Sequence, residues 1–159
     1  MIIRDIAILV GMFLLWTLLI YIMHRLAHIK SKYNFLHQIH IHHHGINYLK
    51  ANHKFKWYYL LFYFGSIYAT LDILLMLTLP AISVYYLFPK FGFYILIFHY
   101  LYEVFLSEGT LDHNPNIRGK VTNYFSWGEY HLAHHKYWKF NYSLIITLWD
   151  NIFNTKKKV

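Results

Sequence analysis

The sequence predicts an all-α integral membrane protein with about three to four transmembrane helices and a His-rich helical cap on their cytosolic side. Three observations carry this expectation. Of 159 residues, 57% are hydrophobic and only 14% charged, whereas a soluble domain carries about 25% charged residues. So much apolar surface in a chain of single-domain length needs either a large core or lipid as its solvent. The apolar residues also fall into runs with basic residues at their ends, and thirteen His concentrate in the polar segments beside those runs. One domain spanning residues 1–159 is expected. Cys is absent, which excludes disulfide scaffolds, thiolate metal sites, Fe–S clusters and thiol catalysis.

Residues 6–23 form eighteen positions without a charge, enough for a membrane span. The run lacks a small-residue cleavage site and continues directly into His24-Arg-Leu-Ala-His28, so a retained anchor is expected rather than a signal peptide. Residues 57–88 are a second apolar stretch and 91–106 a third. A span needs about 20 residues, so 57–79 crosses once and the chain returns by residue 106, with the bend between Pro80 and Lys90. Arg25, Lys30, Lys32, Lys50, Lys54 and Lys56 precede this hairpin; Arg118, Lys120, Lys136, Lys139 and Lys156–Lys158 come after it. The positive-inside rule puts both basic blocks in the cytoplasm. The excess charge (15 Lys+Arg against 7 Asp+Glu) is then explained by span flanks, without nucleic acid.

The histidines cluster within these blocks. His24 and His28 are four apart and share a helix face. On a helix, His37, His40, His43 and His44 lie within about 120° of one another, while His42 points away. His131, His134 and His135 make a third face. A single His pair at a membrane surface is ordinarily a solvated pair, and one His-rich run can be a weak surface binder. Three such faces on one side of a membrane are what a polynuclear metal site requires, and neutral imidazole suits Fe, Zn, Cu and Ni. Five of the seven acids, Glu103, Glu108, Asp112, Glu129 and Asp150, lie beside or between the late His. Metal-bound imidazoles usually donate their second N–H to a carboxylate or carbonyl, and Glu129, two residues before His131, is the acid best placed in sequence. Asp72 stands in mid-span, where an ionisable group is costly; a structural inter-helix contact is expected of it before a catalytic role.

His24-Arg-Leu-Ala-His28, His40-Ile-His-His43-His44 and His131-Leu-Ala-His134-His135 resemble the three His boxes of the fatty acid hydroxylase/sterol desaturase superfamily. Asn141-Tyr142, Leu148-Trp-Asp150, Phe153 and Thr155 resemble its C-terminal signature, and His113-Asn114 its lone His between the hairpin and the last box. The resemblance runs from about residue 16 to 155. It implies a cap holding two iron ions, with zinc as the alternative occupant of the isolated protein, and O2 as co-substrate. It also implies a membrane lipid substrate and a separate electron donor, cytochrome b5-like or ferredoxin-like. The implied ligands are His24, His28, His40, His43, His44, His113, His131, His134 and His135. The middle box reads in two registers: His37-Gln-Ile-His40 fits the spacing from the first box, but Ile41 then stands at a ligand position, whereas His40/His43/His44 completes the motif and leaves His37 as a ligand or a group behind one. Some members carry a His pair where this chain has only His113, with Gly at 109. The site is then one ligand short, or recruits Glu108, Asp112 or His99.

The implied activity is hydroxylation, less readily desaturation, of a fatty-acyl or sterol C–H. Two readings from other classes stand beside it: a b-type haem membrane protein with axial His, and a non-catalytic metal-binding remnant of the family. The last four residues, Lys156-Lys-Lys-Val159, have the dilysine form of an endoplasmic-reticulum retrieval signal. The resemblance implies the endoplasmic reticulum in a eukaryotic host and the inner membrane in a bacterial one.

Overall fold

The structure, a computed structural model, describes residues 2–46 and 55–157. Lys50, Lys54, His53 and the Lys158-Val159 end of the dilysine sequence lie outside the described residues. Within them the chain is helical and has no strand, only one isolated bridge between Phe125 and Ile146.

Helix α1, Ile2–Ala27, is 26 residues long, about 39 Å at 1.5 Å per residue. It is apolar on every side: only 22% of its most apolar 18-residue window is buried, and Ile2, Ile3, Ile6 and Val10 face outward. Apolar residues facing away from the core need lipid against them. The turn after α1 is closed by Asn34, whose Nδ2 donates to the carbonyls of Leu26 and Ile29 at 2.8 Å each. Its Oδ1 accepts from the His37 N–H and so caps α2, Phe35–His44. This one side chain folds α2 back onto the end of α1 and sets the second His box beside the first.

A short 3₁₀ turn, Trp57–Leu61, leads to α3, Ile67–Leu87, capped by Ser66, whose hydroxyl accepts from the Ala69 N–H at 3.0 Å. Pro80 cannot supply a helical N–H, and a π turn over Leu74–Thr78 immediately precedes it. Helix α3 is 21 residues long, the second helix long and apolar enough to cross a membrane. The chain turns at Phe88 into α4, Pro89–Leu101, which runs on through a second π turn, Tyr102–Leu106. The corner is tight because Gly92 lies against the Tyr85 backbone, where no Cβ fits. The expected hairpin is therefore present, but its first arm starts at residue 67 instead of 57. Residues 80–87 belong to that arm, because Gly65 and Ser66 break the chain before it and Pro89 restarts a helix after it.

Trp16, Ile20, Met76, Ala81, Val84, Ile95 and Tyr102 form the core between α1, α3 and α4. Trp16 Nε1 donates to the Leu77 carbonyl at 3.2 Å, tying α1 to the first π turn. Helix α5, Glu129–Tyr137, carries the last His box, and α6, Leu148–Ile152, closes the described chain. Trp149 Nε1 donates to Thr17 Oγ1 at 3.0 Å, so the C-terminal segment is fastened along α1.

Candidate metal centre

Three helices and the turn that carries His113 deliver imidazoles to one place, where α1, α2 and α5 meet. The nine side chains that the His boxes and His113 single out form two groups. His24, His28, His40, His44 and His134 make one; His43, His113, His131 and His135 make the other. In each, one ligand atom per residue lies within 4.8 Å of all the others. The boxes are shared between the groups. Helix α2 sends His40 and His44, one turn apart, to the first group and His43 to the second. Helix α5 sends His134 to the first, and His131 and His135 to the second. The groups abut, with His44 and His135 stacked at 4.4 Å between ring centroids.

The protons reveal what the arrangement is for. His24 Nδ1 meets the Tyr142 carbonyl at 2.6 Å, His134 Nδ1 the Phe140 carbonyl at 2.6 Å, and His113 Nδ1 the Glu108 carbonyl at 3.2 Å. His40 Nδ1 meets both oxygens of Asp72 at 2.9 and 3.1 Å. A carbonyl or carboxylate can only accept, so each of these rings in its neutral form carries its proton on Nδ1 and leaves a bare lone pair on Nε2. Yet His24 Nε2 lies 3.1 Å from His40 Nε2, and His134 Nε2 is buried with no hydrogen-bond partner among the described residues. With both rings neutral, His24 and His40 aim two lone pairs at each other, which is repulsive unless a cation is shared. His44 Nε2 is likewise 3.1 Å from His40 Nε2. In the second group His135 Nε2 stands 3.1 Å from both His113 and His43 Nε2 and 3.2 Å from His131 Nε2. With a metal–nitrogen bond of about 2.1 Å, ligands at right angles sit about 3.0 Å apart. The donor set fits a metal ion in each group.

Burial reinforces this. It pushes the His43 imidazole down to about 4, with His40 acting in the same sense and Asp72 opposing, and it pushes His134 down to about 3. His131 is held well below the ordinary imidazole range by burial and then by His113 and His135. Neutral imidazole is the form that binds metal.

The C-terminal signature residues hold the carbonyls in place. Asp150, fully buried, accepts from the backbone N–H of Tyr142 and Ser143 at 2.9 and 2.7 Å, from Tyr130 Oη at 2.9 Å and from Thr155 Oγ1 at 2.6 Å. Asn141, at a left-handed φ of 59°, donates from Nδ2 to the Tyr130 carbonyl at 3.3 Å. The loop so fixed presents the Phe140 and Tyr142 carbonyls to the first group. Gly128, at φ 57° with the Ile117 and Asn114 carbonyls against it, starts α5 at the height the second group needs.

Several expectations are corrected here. Glu129 does not reach an imidazole: its carboxylate accepts from the Gly119 N–H at 2.8 Å and from Thr122 Oγ1 at 3.4 Å, because the first turn of α5 faces the preceding loop. Asp150 acts one residue removed, through Tyr142. His37 joins neither group; its Nδ1 donates to the Ala27 carbonyl at 2.8 Å and pins α2 to α1. His99 lies in the apolar hairpin against Trp16, with its Nε2 2.8 Å from Thr78 Oγ1. Neither Glu108 nor Asp112 is in a group. The Asp112 carboxyl accepts from Tyr102 Oη at 2.5 Å and is raised to about 7 by burial. The residue that sequence reasoning undervalued is Asp72, the inter-helix contact it was expected to be, but made to His40. Its one signal was an acid within an apolar span, and the partner 32 residues away was not visible.

The sequence model of the fatty acid hydroxylase family matches residues 9–155. The chain belongs to the fatty acid hydroxylase family. No curated protein and no solved structure matches the chain significantly. The family and the two long apolar helices together make it a membrane protein.

Proposed function

We propose that the chain is a membrane-bound lipid oxidase that uses two iron ions and O2 to hydroxylate a C–H bond of a fatty-acyl or sterol substrate, with desaturation the lesser outcome. The observation that carries this is the convergence of imidazole lone pairs in two abutting groups, in a chain of this family. His24, His28, His40, His44 and His134 would hold one ion; His43, His113, His131 and His135 would hold the other. Imidazole suits this role because it survives an oxidising centre where thiolate would not. The ions, when bound, supply the redox chemistry of O2 activation. The balance is RH + O2 + 2e⁻ + 2H⁺ → ROH + H2O, so a separate electron donor, cytochrome b5-like or ferredoxin-like, is part of the proposal.

The protein's own contribution is geometric. Asp72 and the Phe140, Tyr142 and Glu108 carbonyls keep protons on Nδ1 and leave Nε2 free. The α1/α3/α4 bundle receives a hydrocarbon substrate from the bilayer and keeps water from the reacting carbon. The cap is placed on the cytosolic side, in the endoplasmic reticulum of a eukaryote or the inner membrane of a bacterium. Lys156, in the dilysine end, is engaged through Nζ with the Asn123 carbonyl at 2.9 Å.

A b-type haem needs two imidazoles facing each other across a macrocycle, and Nε2 atoms crowded at 3.1–3.3 Å leave no plane for one. A non-catalytic remnant is favoured by one feature, the four-His second group beside a five-His first. Lipid mass spectrometry of cells with and without the chain tests the proposal: a gain of 16 or a loss of 2 mass units in a membrane lipid is expected. No change, together with metal content well below two per chain after iron reconstitution, would favour the remnant.

A further inference from the structure

The apolar outer side of α1 continues to the end of the helix and past it. Ile22, Leu26 and Ile29, spaced i, i+4, i+7, are exposed together where α1 reaches the first His box. There they face Tyr142 and Phe153 of the C-terminal segment across an open groove of about 550 Å³, a size within the ~300–1,000 Å³ of ligand sites. Both walls are fixed. Phe153 stacks on Tyr21 at 5.1 Å between ring centroids, Tyr21 Oη lies 2.9 Å from Thr155 Oγ1, and the Tyr142 N–H donates to Asp150 at 2.9 Å. The groove shares no lining residue with the cavity bounded by His40, His43, His113 and His131.

Arg25 stands in this groove with most of its guanidinium uncommitted. It is exposed, donates from Nη1 to Tyr21 Oη at 3.5 Å, and has no carboxylate paired with it among the described residues. No Asp, Glu or Lys is among the described residues that line the groove. A membrane core of about 30 Å takes about 20 residues of helix; counted from Ile6, where the charge-free run begins, these end at Arg25. The guanidinium is then level with lipid phosphates, and the apolar side chains beside it are level with the first acyl carbons. The geometry points to a bound anionic phospholipid, its phosphate on Arg25 and an acyl chain along Ile22, Leu26 and Phe153. Guanidinium suits phosphate because its donors engage two oxygens at once. A zwitterionic lipid is the poorer occupant, because its ammonium meets no carboxylate here. This lipid is a resident of the fold and not the substrate, and the site does not depend on the oxidase reading.

Native mass spectrometry of the full chain released from detergent, titrated with dioleoyl phosphatidylglycerol or dioleoyl phosphatidylcholine, reads the bound lipid directly. The anionic lipid should bind about fivefold tighter, the increment of one basic residue at an anionic headgroup. Arg25→Gln should bring the two lipids level, while Arg25→Lys, which keeps the charge, should preserve the preference. Lys120→Gln, which removes the same charge outside the groove, should leave it intact. Leu26→Ser should weaken both lipids together. Equal binding of the two lipids by the unaltered chain overturns the inference. So does a preference that survives Arg25→Gln, or one that falls as far in Lys120→Gln, since net charge alone would then explain it. Displacement of the lipid by excess inorganic phosphate would also overturn it, as a free-anion site, and a lipid-free dimer would give the groove to a second copy. If Arg25→Gln does not fold, the unaltered chain, Arg25→Lys and Lys120→Gln decide.

Discussion

Removing the Asp72 carboxylate tests whether the fold prepares the first imidazole group by fixing a tautomer. Asp72 and His40 are almost fully buried, with side chains 9% and 4% exposed. Both Asp72 oxygens lie within 3.1 Å of His40 Nδ1. In Asp72→Ala the Nδ1 proton has no acceptor, and the ring can turn or move its proton to Nε2, where it blocks metal binding. A hydrogen bond to a charged group contributes about 1.5–3 kcal/mol, equivalent to about 10–150-fold, and loss of such a partner behind a metal ligand typically weakens affinity about 10–100-fold. Zinc affinity of Asp72→Ala, measured by competition with a chelator at fixed pH in detergent, should fall in that range. Asp72→Asn should lose less, because its amide oxygen still accepts from Nδ1. Circular dichroism identifies a variant that has simply unfolded. Wild-type affinity, within twofold, in a folded Asp72→Ala would refute the reasoning and mean that packing alone orients His40.

Three further outcomes are expected. His134→Ala and His43→Ala each take one ligand from a different group; both should abolish lipid oxidation with the protein still in the membrane. Metal analysis should show the greater loss in His43→Ala, whose group falls from four imidazoles to three. Gly128→Ala forces a Cβ against the Ile117 carbonyl at a positive φ, so thermal unfolding should drop by at least the ~1–3 kcal/mol of one strained residue and the metal content of the second group should fall with it. For the metal-free protein, stability should decline with acid. His43 and His134 titrate at about 4 and about 3 in the fold against about 6.5 when unfolded, so the unfolded chain binds more protons in that window. Their contribution is complete above about pH 6.5 and is lost as pH falls toward 4 and 3; Asp112, raised to about 7 by burial, acts in the opposite sense. An unfolding temperature that rises steadily from pH 6.5 to 4 would contradict this.

Much of the candidate centre was legible because its signals are local. A helix puts residues three and four apart on one face, so the boxes could be read without knowing where the helices go. Span length and basic flanks are similarly local, and they led to α1 and to a hairpin. The hairpin's start was misjudged because residues 57–66 are as apolar as a span, while Gly65 and the Ser66 cap end that run by backbone geometry that hydropathy does not register. Glu129 was misjudged because closeness in sequence to His131 says nothing about which way the first turn of α5 faces.

The sequence by itself determined the residue types, their periodicity and the family, and so the chemistry open to the chain: imidazole without thiolate, in a membrane. Only the tertiary structure decided the division of the nine imidazoles into five and four, because each of the last two boxes is split between two groups that assemble only after α2 folds back at Asn34. It also decided the partners, since Asp72, Phe140 and Tyr142 reach their imidazoles through hydrogen bonds spanning from 6 to 118 residues. Such bonds leave no periodic trace along a chain; they exist only where packing brings a donor and an acceptor into the same few ångströms.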